Sequence, residues 1–129
     1  MKQLHFKGYL VITLLFAIVQ TVCGQYSFEQ ISKDEGLSHN NVECIIQNQQ
    51  GFMWFGTRNG LCRFDGYDIE IFRNTSDTTS ISGNRILSLA EDKSGYLWIE
   101  TYQNGLNKKK KKKNSFTHYG SELEIGNQI

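Results

Sequence analysis

No proline occurs in the 129 residues, so no proline-stiffened linker divides the chain. Cysteine is scarce. Cys23, Cys44 and Cys62 are too few for a disulfide framework. His39 and His118 have no cysteine or carboxylate partner at ligand spacing, so no zinc site, and no other metal or cofactor, is expected. A glycine-rich phosphate loop and a nucleophile elbow are both missing. Asp65 and Asp68 resemble a carboxylate pair only superficially, because Asp65-Gly66 reads as a turn. Together these absences argue against an enzyme. Helical periodicity is missing after residue 24, which leaves an all-β chain.

Excess charge is missing too: 14 Lys+Arg stand against 13 Asp+Glu. The balance hides an asymmetry. Residues 1–24 read as a signal peptide, with Lys2, His5 and Lys7 before the uncharged, mostly apolar stretch Tyr9–Val22 and small-residue cleavage after Gly24. That stretch is short for a membrane span of about 20 residues. An uncleaved anchor, or lipid attachment at Cys23, remains an alternative to simple cleavage. Without Lys2 and Lys7 the count is 12 against 13, and six of those 12 form one run, Lys108–Lys113. The exported chain is therefore acidic with one basic patch. A nucleic-acid partner is not expected. The destination is periplasmic or secreted, with membrane contact only through an uncleaved signal or a missing C-terminal part.

What is present is a repetition. Gly51-Phe-Met-Trp54-Phe-Gly56-Thr57-Arg58-Asn-Gly60-Leu61 returns as Gly95-Tyr-Leu-Trp98-Ile-Glu100-Thr101-Tyr102-Gln103-Asn-Gly105-Leu106. Gly, Trp and Thr recur 44 residues apart, and Gly-Leu follows one inserted residue later. A period of about 40–50 residues is that of propeller blades. Each unit reads as a four-stranded meander. In the first, Val42–Ile46 is a β-branched strand, Asn48–Gly51 a type I turn, Phe52–Thr57 a strand, and Arg58-Asn59-Gly60 a hairpin in which Asn-Gly accepts positive φ. Leu61–Phe64 and Tyr67–Phe72 complete it. The expected organisation is a signal segment at 1–24, an N-terminal strand or linker at 25–36, repeats at 37–80 and 81–124, and the start of a truncated third repeat at 125–129. Cys44 and Cys62 then fall two strands apart. Two spacings of about 4.8 Å exceed the roughly 7 Å limit for a disulfide, so two buried free thiols are expected.

The pattern Gly-x-x-Trp-[aromatic or Ile]-Gly-Thr-x-x-Gly-Leu, with Asn or Asp three residues before its first Gly, resembles the two-component regulator propeller repeat. With the leader and the Leu37-Ser-His-Asn-Asn-Val42 opening, the chain is similar to the N-terminus of Bacteroidetes hybrid two-component sensor histidine kinases. The resemblance implies two blades of an incomplete, periplasmic β-propeller. It implies oligosaccharide sensing, and signalling through a kinase that lies outside this chain. The partners would be the rest of the propeller, or a second copy through self-association. A small secreted binding module acting alone or as an oligomer, or a truncated product without function, is the alternative. Two departures stand out. Glu100 replaces the repeat's Gly56 and is expected to spoil packing, and the lysine run is expected to be solvated and poorly ordered.

Trp54 and Trp98 suit sugar stacking, yet a residue fixed by every repeat favours packing between blades. Gly51, Trp54, Gly56, Thr57, Gly60, Leu61, Gly95, Trp98, Thr101, Gly105 and Leu106 are accordingly read as structural. Ligand contact falls instead to loop residues His39, Asn40, Asn41, Arg58, Tyr102 and Gln103, because loops on a rigid scaffold carry function.

Overall fold

The computed structural model describes residues 2–19 and 27–120, in two units, Met1–Gln30 and Ile31–Ile129. The first contains helix α1, Lys2–Val19. No helix among the described residues is long and apolar enough to cross a membrane. The expected cleavage site, residues 121–124 of the second repeat and the start of a third at 125–129 lie outside the described residues.

The second unit is two antiparallel meanders. β1 (Val42–Gln47), β2 (Met53–Thr57), β3 (Gly60–Phe64) and β4 (Ile69–Phe72) form one sheet in sequence order. β5 (Ile86–Glu91), β6 (Leu97–Thr101), β7 (Gly105–Lys109) and β8 (Phe116–Tyr119) form the other. Among the described residues no strand pairing joins the two sheets, so the arrangement is open. Local chemistry sets each turn. Asn48 Oδ1 accepts from Phe52 N at 2.9 Å, and Gly51 closes the turn at φ 89°. Asp92 and Gly95 repeat this in the second sheet.

Four expectations are corrected. Residues 27–32 form no strand; they run irregularly into a turn at 33–36. In the hairpins, the positive φ falls on Gly60 and Gly105, not on Asn59 or Asn104, and Gln103 (φ 62°) absorbs the extra residue of the second hairpin. Glu100 does not spoil its sheet. It pairs with Ser88 and Leu106 in register, and its exposed carboxylate accepts from Ser88 Oγ at 2.8 Å. The lysine run is not wholly a solvated loop: Lys108 and Lys109 belong to β7, and Lys109 is buried.

The blades pack through alternate faces of their strands. Trp54, Leu61 and Phe72 from the first meet Ile81, Ile86, Leu97, Ile99 and Phe116 from the second. Burying each such aliphatic side chain contributes on the order of 1.5–3 kcal/mol. Gly56 sets how closely the blades approach, since a Cβ there would run into Cys44 Sγ and lie 2.7 Å from Ile86 Cγ2. The other face of the first blade gathers Leu37, Phe55 and Cys62.

A buried polar knot ties each connector to its hairpin. Thr57 Oγ1 donates to Gly60 O at 2.8 Å and meets Ser38 Oγ at 2.7 Å, while Cys62 Sγ donates to that hydroxyl at 3.1 Å. In the second blade Thr101 and Ser82 repeat the pair, and Asn107 takes the cysteine's place, accepting from Ser82 N at 2.9 Å. Cys44 and Cys62 are free, on β1 and β3 with β2 between them, but only Cys62 is buried; Cys44, expected to be buried, is half-buried.

Candidate functional site

The loop residues lie where the connectors enter β1 and β5 and where β2 and β6 end. Two backbone bonds repeat here at the 44-residue period. Arg58 N donates to Asn41 O at 3.2 Å, and Tyr102 N donates to Arg85 O at 2.9 Å. Arg58 and Tyr102 are thus equivalent positions, as are Asn41 and Arg85.

A bulge between Val42 and Cys44 takes Glu43 out of the ladder. Its Oε1 accepts from Arg58 Nε at 2.9 Å and from Arg85 Nη2 at 3.1 Å, which links one blade to the next. The Arg58 hydrogen bond, helped by Arg85, holds the Glu43 carboxyl below its usual range. Arg85 also lies over the Tyr102 ring, 4.7 Å from its centroid. The order along the surface is Arg58, Glu43, Arg85, Tyr102. One carboxylate serves two guanidiniums, so one positive charge is left over beside an aromatic ring.

The remaining residues are placed differently. His39 is half-buried, and its Nδ1 accepts from Asn41 N at 2.9 Å. Asn40 turns to the preceding segment, where its Oδ1 accepts from Lys33 N at 2.9 Å. Gln103 sits exposed at the hairpin tip. The structure therefore brings together Arg58, Tyr102 and the Asn41 backbone, and leaves Asn40 outside the group. Glu43 and Arg85 were missed. The 44-residue spacing of Arg85 from Asn41 would have flagged it, but the bulge that presents Glu43 leaves no mark in the sequence.

The chemistry on offer is recognition. Planar guanidinium donors and a tyrosine face suit hydroxyl-rich or anionic rings. Burial pushes the Cys44 thiol upward, away from the nucleophilic thiolate. No group of three or more His, Cys, Asp or Glu among the described residues is placed to hold a metal ion.

Known proteins share the repeat and the fold. Residues 36–59 and 80–103 each match the model of the two-component regulator propeller. Over 83 residues the chain is 39% identical to histidine kinase P4 of Formosa agariphila. That match spans 64% of this chain and 6% of the kinase. Two solved extracellular domains from B. thetaiotaomicron share the fold. One, described as part of a hybrid two-component system, superposes with a TM-score of 0.64 at 35% identity over 70% of this chain and 13% of its own. The other, described as part of a one-component system, gives 0.60 at 32% identity over 72% and 14%.

Proposed function

From a chain built on two-component regulator propeller repeats, we propose an exported ligand sensor: two blades of a periplasmic propeller that reads oligosaccharides and signals through a kinase domain elsewhere in the polypeptide. The observation that carries this reading is the Arg58–Glu43–Arg85–Tyr102 row. Arg58 and Tyr102 hold equivalent positions of successive repeats, and Glu43 with Arg85 carries the row from one blade to the next. A ligand lying along that row touches both blades. It would favour one blade–blade arrangement by as much as its affinities for the two arrangements differ. Similarity to the extracellular domains of a hybrid two-component system and of a one-component system supports the exported location.

The test is titration of the full chain with a panel of oligosaccharides, with and without Arg85→Ala and Tyr102→Ala. Binding that weakens by roughly tenfold in either variant supports the reading, the scale expected for removing one contact of about 1.4 kcal/mol. No saturable binding to any sugar overturns it. The full chain made in a Gram-negative host is expected in the periplasmic fraction; retention in the cytoplasm counts against the exported location.

A further inference from the structure

Blade 2 repeats a cation site of blade 1 without the cross-strand carboxylate. In blade 1, Arg63 lies over the Phe52 ring (4.9 Å) and Trp54 ring (5.9 Å), and its guanidinium is neutralised by Glu70 at 2.6 Å. In blade 2, Lys108 takes the same place, 4.0 Å from the Tyr96 centroid and 4.9 Å from that of Trp98. Cross-strand pairing sets Arg63 opposite Glu70 and Lys108 opposite Thr117. The carboxylate has become a hydroxyl. Five more lysines follow, and among the described residues none of the six is in an ion pair.

The loop that carries these lysines is closed by hydrogen bonds. Lys109 is buried, and its ammonium donates to the carbonyls of Lys110 (3.3 Å) and Lys113 (3.2 Å). Lys110 N donates to Ser115 O at 2.9 Å, closing the loop, and Asn114 Nδ2 ties it to Glu70 of blade 1 at 2.5 Å. Lys111 adds a second ammonium 4.8 Å from the Tyr96 ring. Between this loop, Tyr96, Thr117 and Tyr119 lies an open groove of about 470 Å³. Three carboxylates lie nearby among the described residues, and the Lys108 charge acts on one of them, Asp92. Glu70 holds Arg63, Asp92 accepts from the Trp98 indole at 2.9 Å, and Glu91 accepts from Gln49 N at 2.9 Å.

We propose that this groove binds an acidic oligosaccharide, its carboxylate or sulfate groups on the ammoniums of Lys108 and Lys110–Lys113 and a sugar ring beside Tyr96 and Tyr119. Clustered like charges without partners favour a polyanion. Flat aromatic walls favour a ring over an extended phosphate chain. That the polyanion is a saccharide rests on the sensing role proposed above. The groove lies on the β7–β8 side of blade 2, built from residues distinct from the Arg58–Tyr102 row.

The full chain is titrated with an oligogalacturonate, a sulfated galactan oligosaccharide, a neutral glucan of equal length and inorganic polyphosphate. Either acidic sugar is expected to bind at least about tenfold more tightly than the neutral one and to weaken as salt rises. Lys110→Gln/Lys111→Gln/Lys112→Gln is expected to cost about tenfold in that affinity. These exposed substitutions should leave the unfolding midpoint unchanged, which separates lost binding from lost folding. Tyr96→Leu should weaken the acidic sugar and spare polyphosphate. Indifference to the lysine substitutions, or polyphosphate binding as tight as the sugars, overturns the proposal. Neutral-sugar binding that depends on Arg85, with no acidic-sugar binding that depends on the lysines, also overturns it while leaving the sensing role intact.

Discussion

Trp54 and Trp98 are the same residue of the repeat in two electrostatic settings. The Trp98 indole N–H donates to Asp92 Oδ2 at 2.9 Å, while Asp92 Oδ1 caps the turn. Asn48 caps the equivalent turn with its only oxygen, its other terminus being a donor, and the buried Trp54 Nε1 has no protein acceptor. Asn48→Asp is expected to raise stability by about 1 kcal/mol, the usual net worth of one hydrogen bond, read as a higher urea midpoint. An unchanged or lower midpoint counts against this. Asp92 also gives a pH dependence. The Trp98 and Tyr96 N–H groups hold its carboxyl below the ordinary 3.8. A carboxyl lowered on folding stabilises the fold above its unfolded value, and that contribution is lost as pH falls through the folded value. Stability should therefore fall below about pH 3.8, more steeply in the parent than in Asp92→Asn. At this scale the sequence was half legible. Asn and Asp were visible as turn caps, but which tryptophan each oxygen reaches depends on packing.

The strands and turns followed from local signals, because β-branched runs, Gly51 and Gly95 act over a few residues. What was not legible involved contacts between elements. Gly56 is one case. Its pleat position turns it to Cys44 and to Ile86 of the next sheet, so a side chain there collides with a neighbour. Glu100, in the equivalent position, points to solvent on the face of blade 2 away from blade 1, and its sheet forms normally. Gly56→Ala is expected to cost about 1–3 kcal/mol, the range for overpacking a core, and Gly56→Glu to cost more. Glu100→Gly should change stability by no more than about 1 kcal/mol, the entropic cost of a strand glycine. Denaturant midpoints of the three variants check the order, and equal losses at positions 56 and 100 would contradict it. The lysine run misled for a related reason. Ladder pairing uses backbone groups, so Lys108 and Lys109 extend β7 despite their charge. Lys109 reaches polar partners by turning its ammonium onto loop carbonyls.

At the scale of the molecule, two blades share one interface and each keeps an outer face. On blade 1 that face is occupied in part by Ile31 and Leu37 packed against Phe55 and Cys62. On blade 2, β6 turns Leu97 and Ile99 toward blade 1, so strand alternation sends Trp98 the other way. There it packs on Tyr119 at 5.3 Å between centroids, and both rings are only half-buried. Repeat architectures normally need about three units to be stable, because each covers its neighbour's apolar face. The 129-residue chain by itself is therefore expected to self-associate through the Trp98–Tyr119 face, in competition with an acidic oligosaccharide in the adjoining lysine groove. Sedimentation should show an average mass rising with concentration. Trp98→Ala should weaken that association by at least roughly tenfold, as truncation of a buried aromatic anchor does. Unfolding should likewise shift to higher denaturant as concentration rises, since association stabilises whatever it buries. A monomer at every concentration, unfolding in one cooperative step at a fixed midpoint, would show instead that two blades and one interface suffice. In that case the outer face of blade 2 would need no cover, and Glu100, Ser88 and Lys108 on or beside it would mark a surface evolved to meet water rather than another blade.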